Sequence, residues 1–211
     1  LVAAGAERAF WRALLQWADR QGGQALFLHL AHLPLTGALH DELQAELADQ
    51  HRLAATVLRE ERALLASDLA PEDYLDASLT GKKRKELRRQ HRRLGETGAL
   101  EIERRLDADE VGRWAQEFLA LERRGWKGTA GSALACDPHT AGLFTEALMG
   151  AALAGKLERL ALRLDGQAIA MLASFLTPPG AFSYKTAFDE DFARFSPGVL
   201  LQRENLSLLA Q

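Results

Sequence analysis

Cysteine is nearly absent from this chain: Cys136 stands alone in 211 residues, which excludes an intrachain disulfide. No group of Cys and His has the spacing of a zinc site, so no metal is expected and a reducing compartment, the cytoplasm, fits. Long apolar runs are missing too. None approaches the roughly twenty residues of a membrane span, and Glu7 and Arg8 stand where a signal peptide would be apolar. Position 1 is Leu rather than Met, so a start further upstream, a tag or a segment outside this sequence is an expectation. A basic excess is lacking: 26 Lys and Arg against 29 Asp and Glu give a net charge of −3, which argues against a general polyanion binder. The balance of 47% hydrophobic and 26% charged residues is that of a folded globular protein with one large core or two small ones.

Against that acidic background one stretch stands out. Residues 80–93 (TGKKRKELRRQHRR) hold eight Lys or Arg and one acid. Four of the cations, Lys82, Lys83, Arg84 and Lys85, fall at the expected start of a helix, where the macrodipole disfavours positive charge. The placement opposes helix stability and points to an anionic ligand. A solvated helix face is the competing reading, because charge runs are common on exposed helices.

Periodicity divides the chain into alternating helices and strands. Residues Glu7 to Gln21 carry Phe10, Trp11, Leu14, Leu15 and Ala18 on one helical stripe, stopped by Gly22-Gly23. Ala25 to Leu33 (ALFLHLAHL) alternates as a strand ended by Pro34, with His29 and His32 on opposite faces, which disfavours a metal pair. A helix is expected over His40 to Gln50, a second strand over Ala54 to Leu65, and a boundary at Ser67 to Pro71. After the basic helix, Leu100 to Arg104 alternates as a strand, and Asp107 and Asp109 read as caps of a helix running to Arg124. A Gly-, Ala- and Ser-rich loop from Gly128 to Ala135, followed by Cys136, which reads as inert, leads to Asp137-Pro138, an N-cap with proline at the first helical position, and a helix to Ala154. Leu157 to Leu164, Gln167 to Leu176 and Ala181 to Phe188 read as three antiparallel strands. They are joined by Asp165-Gly166, a type I′ turn signal, and by Pro178-Pro179-Gly180. Asp189 to Phe195 is an irregular loop before Ser196-Pro197-Gly198, which opens a last helix over Val199 to Leu209.

Strand, two helices, three antiparallel strands, loop and helix is an α+β order. The order and spacing of several segments within it resemble a known family. These are the basic tract Lys82 to Leu94, Trp126-Lys127-Gly128, the hairpin Asp165 to Ala170, Tyr184-Lys185-Thr186-Ala187-Phe188-Asp189, and Ser196 to Leu201. From Leu100 onward the chain resembles the GNAT-like acetyltransferases of the BioF2-like or CelD type, relatives of the FemAB aminoacyl ligases. The resemblance implies a GNAT-like acyl-CoA N-acyltransferase fold in tandem copies, with largely antiparallel central sheets, incomplete at both ends. Residues 1–66 would be the C-terminal half of a first domain, 67–98 linking helices with the basic tract, and 99–211 the N-terminal part of a second domain with the acyl-donor site.

It also implies a co-substrate, acetyl-CoA or another acyl-CoA, gripped where the last of the three strands hands over to the following helix. Arg194, Ser196, Pro197, Gly198 and Val199 occupy that turn. A helix N-terminus suits a pyrophosphate, although proline at the first glycine position of the family's turn removes one N–H donor. Pro197 starting a helix and Gly198 permitting close packing is the structural reading of the same residues. The chemistry implied is direct attack of an amine or hydroxyl on a thioester, which needs proton removal and carbonyl polarisation. Candidates are Glu122 or Asp189 as base and Tyr184 as donor to the leaving thiolate. Lys82, Lys83, Arg84, Arg88, Trp126 and Lys127 are candidates for substrate or phosphate contacts.

Three functions follow. The first is acyl transfer to a sugar or envelope precursor in cell-envelope or exopolysaccharide biosynthesis. The second is FemAB-like transfer from aminoacyl-tRNA, against which the acidic chain and the lack of aromatic interleaving in the basic tract argue. The third is a non-catalytic GNAT-like interaction module.

Overall fold

In the computed structural model, residues 2–61, 65–178 and 180–210 are described. The chain divides into two compact units, Leu1–Leu64 and Leu65–Gln211.

The smaller unit is a pair of helices, α1 (Glu7–Gln21) and α2 (Ala38–Asp49). Trp11 and Leu15 of α1 bury against Leu43 and Leu47 of α2, each pair one helical turn apart on its own helix. Trp11 Nε1 donates to Leu39 O at 2.7 Å, which gives the buried indole its partner. Glu46 lies on the same interface, receives Arg12 at 2.9 and 3.1 Å and Arg8 at 3.1 Å, and is buried. These hydrogen bonds, led by Arg12, hold its carboxyl down at about 2.

The two strands expected here do not form. Residues 25–33 and 54–61 adopt no ladder, and residues 62–64 of the second stretch lie outside the described residues. Alternation of apolar side chains describes a two-sided segment, but a strand also requires a neighbour for its N–H and C=O groups, and among the described residues no strand pairs with either stretch.

The larger unit contains α3 (Pro71–Ser78), α4 (Gly81–Gly95), β1 (Leu100–Arg105), α5 (Val111–Arg124), α6 (Trp126–Thr129), α7 (Pro138–Leu153), β2 (Leu157–Leu164), β3 (Gln167–Thr177), β4 (Gly180–Phe188) and α8 (Pro197–Asn205). The four strands make one antiparallel sheet in the order β1-β2-β3-β4. Asp165 and Gly166, both at positive φ (49° and 78°), close the β2–β3 hairpin as the sequence predicts. In the β3–β4 turn, Pro179 lies outside the described residues.

Period-two alternation splits the sheet into two faces. Leu157 and Ala161 of β2 and Met171 and Ala173 of β3 pack with Trp114, Phe118 and Leu121 of α5 and Phe144 and Leu148 of α7. Leu160, Leu162 and Leu164 of β2 and Ala170 and Leu172 of β3 pack with Leu87 and Leu94 of α4 and Leu200 and Leu201 of α8. The helix of the basic tract is thus part of the second core.

The start of α5 differs from expectation. Its N-cap is Glu110, in a left-handed conformation, because Asp107 is engaged elsewhere. Asp107 Oδ1 accepts from Asp109 N and from the fully buried Arg159 of β2, both at 2.9 Å. Arg159 also donates to the Asp107 and Asp109 carbonyls, at 2.7 and 3.0 Å. The loop expected over Gly128 to Ala135 contains the end of α6 and the start of a 3-10 turn, Leu134–Cys136, with Cys136 exposed. Residues 190–195 also form a 3-10 turn.

Candidate active site

The pairing of β3 with β4 changes register between Ala173 and Ser174: Ala173 opposes Lys185, whereas Ser174 opposes Ser183. Tyr184 is therefore the extra residue of a β-bulge, which lets two consecutive side chains leave the same side of the strand. Its ring stacks on Phe144 of α7 (6.1 Å between centroids) and meets Phe175 edge-on at 5.5 Å. Lys185 turns to the same face, where its Nζ lies 3.1 Å from Glu122 Oε1. Ser183 turns to the other face and accepts from Asn205 of α8 at 3.0 Å.

Glu122 occupies the last turn of α5 with its side chain only 1% exposed. Beyond it the chain doubles back sharply into α6. Gly128 makes that fold possible, because a Cβ there would fall 1.8 Å from the Arg123 carbonyl oxygen. The turn delivers Lys127 to the same carboxylate oxygen at 3.3 Å and to Thr186 O of β4 at 3.2 Å. Glu122 Oε2 accepts from Leu134 N at 2.8 Å. One buried carboxylate thus gathers two ammonium groups and one backbone N–H beside β4, an edge strand among the described residues.

Trp126 is 57% exposed next to Lys127, and its backbone N–H is fixed by Glu190 Oε1 at 2.5 Å. Glu190 follows Asp189, whose Oδ1 accepts from Asp191 N at 3.1 Å and so caps the 3-10 turn. That turn ends at Ser196, left-handed at φ 52°, and α8 begins with buried Pro197. Val199 N and Leu200 N both donate to Ser196 O, at 2.9 and 3.1 Å. Pro197 has no N–H. In the first turn of α8 this leaves Gly198 N without a protein acceptor among the described residues. Arg194 is exposed and lies over the Phe195 ring, 4.7 Å from its centroid.

The profile of the acetyltransferase (GNAT) domain family matches residues 81–210. The chain belongs to the GNAT acetyltransferases. No curated protein and no solved structure matches it. GNAT domains take their acyl group from acetyl-CoA or another acyl-CoA, so acyl transfer in general follows from membership. No metal-binding cluster occurs among the described residues, and no helix among them is long and apolar enough to cross a membrane.

The GNAT fold brings together some of the residues singled out in the sequence. Glu122 and Lys127 converge on Lys185 and the Thr186 carbonyl of β4, with Trp126 beside Lys127 and Tyr184 one residue before Lys185 in the strand. Residues Arg194 to Val199 stand where β4 hands over to α8. The helix that carries Lys82, Lys83 and Arg84 packs against the 3-10 turn at residues 190–195; Arg84 pairs with Asp76 of α3, while Glu72 of α3 meets Arg203 in the last turn of α8, at 3.3 Å. Lys82, Lys83 and Arg88 are exposed and make no ion pair among the described residues. A shallow depression of about 510 Å³ against α5, lined by Glu117, Arg123, Arg124 and Gln167, includes none of the candidates.

Lys185 is the member that sequence reasoning missed. Its neighbour Tyr184 was legible as a candidate, but strict alternation would have sent the two side chains to opposite faces. No local signal marks the bulge.

Proposed function

We propose that this GNAT protein transfers an acetyl or acyl group from acyl-CoA to an amine or hydroxyl acceptor in cell-envelope or exopolysaccharide biosynthesis, as a relative of the BioF2-like and CelD type. The observation that carries the reading is the bulged edge of β4. It sets Tyr184 and the Glu122 cluster along one strand that runs directly into the turn at the start of α8.

Tyr184 is the candidate general acid, since its hydroxyl has no partner among the described residues and its ring is pinned by two aromatic neighbours. The acceptor's lone pair forms the new bond to the acyl carbon, the carbon–sulfur bond breaks, the Tyr184 proton goes to the departing thiolate, and the proton that the acceptor sheds returns through solvent water to the Tyr184 phenolate. Asp189 has one oxygen committed to a cap and Glu122 has both oxygens engaged. We therefore assign both a positioning part rather than that of base. Gly198 N and Arg194 are the groups that would meet the donor's phosphates, at the positive end of α8.

Pro197 and the single free N–H favour a second reading, a GNAT-like module that has lost the donor and acts by binding a partner. The FemAB-like, tRNA-dependent alternative would rest on the exposed cations of α4.

Calorimetric titration of CoA and acetyl-CoA into wild type and Gly198→Asp separates these readings. A Cβ at Gly198 meets Phe188 and Thr186 at 3.6 and 3.8 Å, ordinary contact distances, so the variant should fold. Its carboxylate would repel phosphate. Micromolar binding weakened at least tenfold in Gly198→Asp supports the donor turn, whereas a folded wild-type protein that binds neither ligand sinks the acyl-CoA reading.

A further inference from the structure

A buried carboxylate needs one cation to balance it, yet Glu122 holds two. Lys127 and Lys185 both sit on Glu122 Oε1, at 3.3 and 3.1 Å, so the cluster carries one uncompensated positive charge. Two ammonium groups sharing one oxygen repel each other, and both lose water through partial burial. A structural ion pair would be better served by one lysine.

The surplus has a direction. Each ammonium carries three N–H bonds. Lys127 uses two of them, on Glu122 and on Thr186 O, whereas Lys185 is held to Glu122 as an ion pair. N–H donors are left over on both ammonium groups, on side chains that remain 25% and 22% exposed. Glu122, tied down by Leu134 N, fixes where they sit. The half-exposed Trp126 ring lies 6.0 Å from Lys127 Nζ, and half-exposed Tyr184 precedes Lys185 in β4.

From this geometry we propose that Lys127 and Lys185 form an acceptor subsite that receives an anionic oxygen group, phosphate or carboxylate, on a ring-bearing acceptor. Trp126 and Tyr184 offer the stacking surfaces. The inference rests on the acyltransferase reading above and adds the chemical class of its acceptor: an anionic saccharide rather than a neutral one.

The test is a titration of the full chain with inorganic phosphate and, separately, with acetate, following the lysine side-chain Cε–Hε signals by NMR. Lys127→Met and Lys185→Met assign the two signals, and Lys185→Arg serves if Lys185→Met does not fold. Exposed Lys156, outside the basic tract, acts as an internal control. Saturable shifts confined to Lys127 and Lys185 at millimolar anion are expected, together with at least tenfold tighter binding of glucosamine 6-phosphate than of glucosamine. A response to phosphate alone assigns a phosphorylated acceptor, and one to acetate alone a carboxylated acceptor. Linear drift of all lysines alike, in both anions, overturns the proposal. CoA calorimetry on the same sample keeps the two readings apart: CoA binding without the lysine response sinks only the acceptor subsite, and the reverse sinks only the donor reading.

Discussion

Glu158, at the start of β2, is fully buried, with Oε1 on Arg104 and Oε2 without a partner among the described residues. Opposite it on β3 stands Ser174, equally buried, whose hydroxyl is also unpartnered. The ion pair with Arg104 does not offset the loss of water, so burial pushes the Glu158 carboxyl up from 4.5. A carboxyl raised in the folded state binds its proton more tightly there than in the unfolded chain. Its contribution to stability is complete below the unfolded value and is lost as pH rises through the folded one. Glu158→Gln should therefore be neutral to stabilising by about 1 kcal/mol near neutral pH. Relative to wild type, the variant should lose less stability as pH rises above 4.5. Thermal melts across that range check it, and a variant clearly less stable at neutral pH would show that the pair is a net stabiliser. Glu46 has the opposite sign, since its depressed carboxyl gives stability that fades as pH falls from 4.5 toward about 2. Comparing variant with wild type isolates Glu158 from such groups.

The basic helix shows how far an element can be read from its own residues. Its start was legible from the basic tract, and the structure adds the cap: Thr80 Oγ1 accepts from Lys83 N at 3.3 Å. So was the surplus of cations, several of which remain exposed. Which face packs was not legible, because Leu87 and Leu94 are two isolated leucines among charges. The sheet, α8 and Phe195 of the 190–195 turn give them a place to bury. The two features should separate in urea denaturation. Lys83→Gln completes a capping box with Thr80 and removes a cation from the first turn, raising stability by about 0.3 to 1 kcal/mol. Leu94→Ala empties a fully buried site and costs about 2 to 5 kcal/mol. Were Leu94→Ala as mild as a surface change, α4 would be an appendage rather than part of the core.

At the scale of the whole molecule, legibility follows the distance over which each signal acts. The β2–β3 hairpin was readable because Asp165-Gly166 sets the turn with two residues. The helices were readable because three or four residues reveal a face. The Glu122 cluster joins residues far apart in the chain and depends on a bulge, so Lys185 had no local mark. The failures in residues 25–33 and 54–61 are the converse, a local strand signal with no partner to complete it. Amide hydrogen exchange tests this contrast directly. Amides of β2 and β3, buried and paired on both sides, should exchange last, near the rate set by global unfolding. Amides of residues 26–30 and 54–61 should exchange close to the rate of an unstructured peptide, since no ladder holds them. Slow exchange at alternate amides of Leu26 to Leu30 would instead mean that this stretch pairs as an edge strand, the behaviour required of the first of two tandem domains.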